Sequence, residues 1–575
     1  MVILGLSGAV GHDPSAALLI DGKIVAAVEE ERFNRNKHSK GLQPELSARW
    51  CLDFAGLKPA DVQVVAYPFA RIPLFGSPAR WHYAKRHWYA PDRAFTALFD
   101  GNRRYRRNIG NVFAMLGEIG IDPRGVKFMP FEHHLAHASS AFHCSGYERA
   151  AIMSIDGNGE YATTWFGWGD ADGLHKIKEW YLPDSLGGFY GAITEYLGFE
   201  MLDGEYKVMG MAPYGDATKW DVTPCLQWGG GDFRVNTALV NCVGLPRYKD
   251  VAGKGYFFSR KLAKMWGPPR QNDSIDEPYV HIAAATQRTL EDATLSLMQH
   301  HLGDKLAETK RLCFAGGVAL NVKLNKMLMR EKDVGELFVQ PAASDAGTAI
   351  GAATLAATQL GDKVQPMEHA YLGPSYTNEQ VKAALEKRRL SCEQPASITD
   401  AVAELLARGE AVAWFQGRME FGPRALGNRS ILGNPAIPGI ADRINEQIKY
   451  RERWRPFCPS VLDWAAPEVL QSKHPSPYMT FTFDVAESWK GRIPEVVHVD
   501  GTSRPQIVSE KANPRYYELM RKFYARTGVP VLLNTSLNRR GEPMVCSPED
   551  ALTMFFGSEL QYLAMEDILV RKPTG

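Results

Sequence analysis

No pair of cysteines in CxxC spacing occurs anywhere in the 575 residues. The eight cysteines (51, 144, 225, 242, 313, 392, 458 and 546) are scattered. That argues against a zinc finger or a disulfide framework and makes a reducing, cytoplasmic setting the expectation. Long apolar runs are missing too. None approaches the roughly 20 residues that span a bilayer, so no membrane partner is expected. The opening "MVILGLSGAVGHDPSAA" lacks a basic leader and is broken by His12 and Asp13, so it reads as a buried strand and turn, not a signal peptide. Nor is one sign of charge in excess: 66 Lys and Arg stand against 65 Asp and Glu, and only their distribution can inform about partners. What is present, 45% hydrophobic and 23% charged residues, is ordinary for a globular chain and excludes a disordered or fibrous one. The length exceeds what one core supports, so two or more domains are expected.

The first thirty residues read as strand, His-Asp-Pro turn, strand, and a further strand after Asp21-Gly22, a hairpin signal. "RAAIMSIDGNGEYATTWFGWGDADGLHKIKEWY" repeats the plan with a Gly-rich polar turn. A duplicated strand–turn–hairpin is the pattern of actin-like and sugar-kinase-like α/β folds, which hold a nucleotide between lobes. Two later segments suit such a cleft. In "RLCFAGGVALNVKLNKML", Gly316 and Gly317 separate a strand from a helix; in "VQPAASDAGTAIGAATLAA", Ser344 and Asp345 do so. Glycines there admit a ligand to the backbone, and a helix N-terminus favours phosphate, although Asp345 could equally be a helix cap. Near 360–375 the pattern breaks in "LGDKVQPMEHAYLGPSYTNEQ", which places a boundary between domains 1–365 and 366–575.

Three histidines crowd "FEHHLAHASSAF". On a helix His133 and His137 stack on one face and can share a metal ion, while His134 faces away and receives no role. The spacing resembles the HExxH of zinc proteases, but His134 stands where the general base would be. Asp156 and Asp345, both in cleft turns, could complete a site; histidines on a helix surface are the competing reading. In the second domain, nine Arg and Lys against five acids lie between Arg408 and Arg455, mixed with Gly, Pro, Phe and Trp. That mixture points to a buried anion site instead of a solvated basic face, since the arginine fork suits phosphate.

"GLSGAVGHDPSAALLIDG", "HHLAHASSAF", "GEYKVMGMAPYG", "GRMEFGPRALGNRSIL", "HVDGTSRPQ" and "LNTSLNRRGEPMV", in this order along the whole chain, resemble the O-carbamoyltransferases of natural-product and nodulation-factor biosynthesis, the tobramycin carbamoyltransferase-like family. The resemblance implies an α/β chain with an N-terminal ASKHA (Kae1-like) duplicated domain, carrying a basic aromatic insertion near 70–110, and a C-terminal YrdC-like domain. It implies that carbamoyl phosphate and ATP, with Mg, give carbamoyl-adenylate and pyrophosphate in the second domain, and that the carbamoyl group then passes to an acceptor hydroxyl in the first. By resemblance His133, His137, Asp156 and Asp345 hold Fe(II) or another divalent metal, with Asp156 and Asp345 also counted as catalytic. His12 and Lys37 stabilise charge or move a proton, and Gly316, Gly317 and Asn321 lie at the nucleotide. Arg418, Lys449, Arg455 and Arg504 neutralise phosphate oxygens, and Ser536 and Asn538 orient the phosphate or carbamoyl group. A homodimer also fits relatives of this kind.

The acceptor is less legible. Residues 80–107 hold eight Arg and Lys, two acids and seven aromatics, a net charge of +6 that leaves the remainder at −5. Basic residues among stacking aromatics suit nucleic acid, so hydroxymethylcytosine in DNA or RNA, flipped into the site, is one acceptor. An amphipathic helical insert with its aromatics packed inward is the other reading. A small hydroxylated metabolite or sugar is the favoured acceptor. A sugar kinase would leave the Arg-rich second domain idle. Hydrogenase-maturation carbamoyl transferases join similar domains in reverse order and carry zinc fingers, which this sequence lacks. A pure nucleic-acid binder would not need the metal constellation.

Overall fold

The computed structural model describes residues 1–73, 77–88, 91–99, 102–241, 248–250 and 253–572, the side chains of residues 91, 93 and 96 excepted. The chain forms two compact units: residues 1–26 with 40–367, and residues 27–39 with 368–575. Among the described residues no helix is long and apolar enough to cross a membrane.

The first unit is built twice on one plan. Strand Val2–Leu6 pairs antiparallel with Ser15–Ile20, which neighbours the third strand Lys23–Glu29, and parallel with Val64–Tyr67, which pairs parallel with Lys127–Pro130. Strand Ala150–Ile155 pairs antiparallel with Ala162–Asp170, and that with Gly173–Tyr181. Ala150–Ile155 also runs parallel to Arg311–Ala315, which runs parallel to Glu336–Val339. Numbered within each sheet, the strands of both follow the order 3-2-1-4-5. This is the duplicated actin/sugar-kinase-like arrangement expected from the sequence. The Asp21-Gly22 signal holds as well. Both residues have positive φ, 49° and 76°, as a two-residue turn matched to strand twist requires.

Helix Thr348–Gln359, "TAIGAATLAATQ", packs against helix His133–Ser145 and strand Val2–Leu6. Its small residues set the closeness of approach. A Cβ on Gly351 would lie 1.8 Å from Ala136 O. Helix His133–Ser145 ends at Gly146, whose φ of 75° is the left-handed stop a glycine supplies.

The second unit is mixed α/β around a seven-stranded sheet ordered Gln506–Val508, Cys458–Leu462, Val531–Ser536, Arg429–Gly433, Val412–Phe415, Tyr562–Met565, Ile568–Arg571. Residues 27–39, which a linear reading assigns to the first domain, belong to this unit. Glu29 accepts the Gly422 N–H at 2.8 Å, and Arg32 donates to Gly422 O at 3.0 Å and to Glu29 at 2.9 Å. Arg35 donates to Met544 O and Pro543 O at 2.6 and 2.7 Å. "EEERFNR" looks like a solvated charge run, but Glu29 and Arg32 are buried, each charge met by the other and by backbone.

Candidate functional site

In each repeat of the first unit, residues following the first and fifth strands supply the polar groups of one cluster. His12 follows strand one of the first repeat and Asp156 strand one of the second. His133 and His137 follow strand five of the first, and Asp345 strand five of the second. Loops at the carboxyl ends of parallel strands are where α/β sheets place their ligands.

The cluster is tight. His133 Nε2 and His137 Nε2 stand 3.1 Å apart, and His137 Nε2 is 3.1 Å from Asp156 Oδ2. Asp345 Oδ1 lies 3.4 Å from His133 Nε2 and 3.6 Å from His137 Nε2. One donor atom from each of the four side chains falls within 4.8 Å of every other. His133 Nδ1 donates to Pro68 O at 3.3 Å, which orients the ring and turns Nε2 into the cluster, as the outer hydrogen bond of a ligating histidine does. His12 joins from the side, with Nε2 3.8 Å from Asp345 Oδ2 and Nδ1 3.3 Å from Asp13 Oδ2.

Electrostatics mark the centre as a cation site. Burial would lower the His133 pKa, but Asp345 and Asp156 outweigh it and raise it to about 10. His12 is likewise raised to about 9, burial being overcome by Asp345, Asp13 and Asp156. Burial would raise the two aspartates, yet the histidines hold both below the usual carboxylate value. Two largely buried carboxylates demand a positive charge. His137 Nδ1 and Asp345 Oδ2, both buried, have no hydrogen-bond partner among the described residues. Two imidazoles and two carboxylates with spare donor atoms fit a divalent metal.

His134 is outside the tetrad, as its place on the helix predicts. It is 1% exposed, bound to Ser154 Oγ at 2.8 Å and Ala162 O at 3.1 Å, and burial, with His133 and His137 nearby, lowers its pKa to about 3. The surface reading of these histidines is therefore corrected: all three are at most 1% exposed, because the helix is covered by helix Thr348–Gln359 and by strands. Gly316 has φ 89°, and a Cβ there would stand 2.3 Å from Ile155 O; one on Gly317 would stand 2.8 Å from Asp156 Oδ1. Asn321 caps helix Val322–Met329 through the Leu324 N–H at 3.1 Å and exchanges hydrogen bonds with Gln287, so its amide is committed. Glu160 escaped sequence reasoning. Its carboxylate accepts the Ala70 and His133 N–H groups at 2.8 and 3.2 Å, and burial raises its pKa to about 7. An acid in "DGNGEY", at the turn aimed at a helix start, was the available signal.

The second unit gathers three of its predicted residues. Lys449 Nζ, buried, donates to Ser536 O at 2.5 Å, Ser536 Oγ at 3.2 Å, Asn538 O at 2.9 Å and Asn538 Oδ1 at 2.8 Å. Burial, then the like charges of Arg451 and Arg455, hold its pKa well below 10.5. Among the described residues no carboxylate lies within ion-pair distance of Lys449. Arg455 pairs with Glu452 at 3.3 Å. Arg504 places Nε and Nη2 at 3.1 and 2.9 Å from Cys458 Sγ, a contact the sequence did not suggest. Arg418 is held by the carbonyls of Gly373, at 3.2 Å, and Leu372. Lys37 lies in the short turn Lys37–Ser39 and so belongs to this unit, whereas His12 belongs to the first.

In the basic insertion, Arg80 is 1% exposed and donates to Ile72 O, Ala97 O and Leu98 O. Arg86 forks onto Asp184 at 2.7 and 3.0 Å. Trp81, Trp88, Phe95 and Phe99 are exposed, so the expectation that the aromatics pack inward is not met by these four. Tyr89 and Asp100 lie outside the described residues, as does the Arg93 side chain.

Together these features define a class: a two-unit α/β protein with a metal-compatible centre on a duplicated actin/sugar-kinase-like fold. The chain belongs to the carbamoyltransferase family. The Carbamoyltransferase N-terminus model matches residues 2–354 and the Carbamoyltransferase C-terminus model residues 403–572. The uncharacterized protein sll1178 of Synechocystis sp. is 37% identical over 99% of this chain and 96% of its own length. Nodulation protein NolNO of Sinorhizobium fredii is 36% identical over 100% of this chain and 83% of its own. Among solved structures, full-length HypF in its phosphate- and nucleotide-bound form aligns with 63% of this chain and 56% of that one, at 13% identity and a TM-score of 0.34.

Proposed function

We propose that this carbamoyltransferase activates carbamoyl phosphate with ATP in its second unit, which is YrdC-like in this reading, and carbamoylates an acceptor hydroxyl in its first. Lys449 carries the proposal: a buried lysine without a carboxylate partner, ringed by Ser536 and Asn538, is arranged to receive an anion. Water cleaves carbamoyl phosphate to carbamate and phosphate. A carbamate oxygen then attacks the α-phosphorus of Mg-bound ATP, and pyrophosphate leaves, giving carbamoyl-adenylate. Lys449 neutralises a phosphate oxygen, Ser536 and Asn538 orient the reacting group, and Arg455 and Arg504 add charge nearby.

In the first unit the acceptor oxygen attacks the carbamoyl carbon, AMP leaves, and the acceptor proton passes to a base. His12, held cationic beside Asp345 and Asp13, is placed to stabilise the negative charge that develops during transfer. His133, His137, Asp156 and Asp345 would hold a divalent metal, with Fe(II) among the ions this donor set suits, and bound there it would supply Lewis-acid stabilisation of developing charge.

A small hydroxylated metabolite or sugar is the acceptor in this reading, since Arg80 and Arg86 are engaged within the protein and not held out to a polyanion. The exposed Trp81, Trp88, Phe95 and Phe99 favour a second reading, stacking on DNA that carries hydroxymethylcytosine. Transfer of label from [14C]carbamoyl phosphate, with ATP, Mg²⁺ and Fe(II), separates them. Label entering hydroxylated metabolites but not hydroxymethylated DNA supports the first, and the reverse result replaces it with the second.

A further inference from the structure

Besides Arg80, Arg104 of the basic insertion turns inward. Helix Arg103–Glu118 sends Asn108 and Arg104 onto the two loops that follow the first strand of each repeat. Asn108 Nδ2 donates to Ala9 O at 2.5 Å. Arg104 Nη2 donates to Val10 O at 3.0 Å, while Nη1 reaches Asn158 Oδ1 and Gly159 O only at 3.4 and 3.5 Å, the long limit of a hydrogen bond. The guanidinium therefore bridges the loop that carries His12 and the loop that carries Asp156. It also lies over the Phe69 ring, 5.3 Å from its centroid.

What Arg104 lacks is a counter-ion. Its hydrogen-bond partners are two carbonyls and one amide oxygen, and among the described residues no carboxylate lies within ion-pair distance. Asp345 and Glu160 are near enough to act on its charge without touching it. Five N–H donors in a fixed fork are thus served by one good bond and two weak ones, in a half-buried place between two ligand-facing loops. A guanidinium so held is a preformed half of an arginine–phosphate pair.

We infer that Arg104 binds the phosphate of a nucleoside monophosphate at the first unit's centre. The inference rests on the proposed reading in making that group the AMP moiety of the activated carbamoyl donor. It gives the insertion a role that needs no polynucleotide: its helix delivers the cation that recognises the leaving phosphate, and Asn108 seats the helix on the same loop.

Calorimetric titration of AMP and of adenosine into the full-length chain tests this without requiring turnover. Wild-type protein is expected to bind AMP about 10–100-fold more tightly than adenosine, the range of one charge-assisted contact. Arg104→Ala should remove a site with that preference, and Arg104→Lys should restore part of it. Lys85→Ala removes an exposed cation of the same insertion and should leave the ratio as in the wild type. An unchanged ratio in Arg104→Ala, equal loss in Lys85→Ala, or no AMP preference in the wild type overturns the assignment. Pyrophosphate release measured on the same proteins distinguishes the two ideas. Its absence with an Arg104-dependent AMP preference sinks the adenylation reading but leaves the phosphate site standing. Its presence with no effect at Arg104 does the opposite.

Discussion

Lys449 keeps an amine where burial and two neighbouring arginines work against its charge. The sign of the linkage follows. The unfolded chain, with an ordinary lysine, binds the proton more readily, so this residue's contribution to stability improves as pH rises toward 10.5 and is least favourable below the folded value. A phosphate brought to Nζ favours the protonated form, so ATP binding should take up a proton at mildly alkaline pH. Calorimetry in buffers of different ionisation enthalpy reads this as a slope, and a flat line contradicts it. Lys449→Ala should lower carbamoyl-phosphate-dependent pyrophosphate release by about 100-fold or more, the scale of losing one preorganised donor. At the other centre, His137→Ala and Asp345→Asn each remove one of four ligands. Elemental analysis should find about one divalent metal per wild-type chain and little in either variant. Full metal content in both would dissociate the tetrad from metal binding.

The elements position these residues through close helix packing. Helix Thr348–Gln359 follows Asp345 and touches helix His133–Ser145, which carries His133 and His137, so their spacing sets the ligand geometry. Gly351→Ala forces a Cβ toward Ala136 O and should cost on the order of 1–3 kcal/mol, with metal affinity falling in parallel. Thermal unfolding with and without added metal checks this, and unchanged values in both would contradict it. In the second unit, removing Arg32 leaves Glu29 buried beside only the Gly422 N–H, so Arg32→Ala should destabilise that unit by about 3–5 kcal/mol. Such elements divide what the sequence reveals from what it conceals. The strand–turn–hairpin repeat and the i, i+4 histidines are local patterns and were legible. Residues 27–39 were not, because a buried Glu–Arg pair satisfied by distant backbone reads locally as solvated charge. Glu160 and the Cys458–Arg504 contact were equally hidden, each depending on a partner far away in sequence.

At the scale of the whole molecule, the duplicated 3-2-1-4-5 topology explains why four metal-compatible ligands come from such distant stretches: both repeats present the same strand ends, and the ligands follow strands one and five. The second unit gathers Lys449, Ser536 and Asn538, which the proposal makes a separate anion site, so the proposed chemistry divides into activation and transfer. The most direct test of that division is pyrophosphate release from ATP by the intact, metal-loaded chain, with and without carbamoyl phosphate and before any acceptor is added. Release that depends on carbamoyl phosphate and persists in His137→Ala, while label transfer to an acceptor is lost, is the predicted result. Folded, metal-loaded protein that releases no pyrophosphate, or releases it regardless of carbamoyl phosphate, would contradict the account.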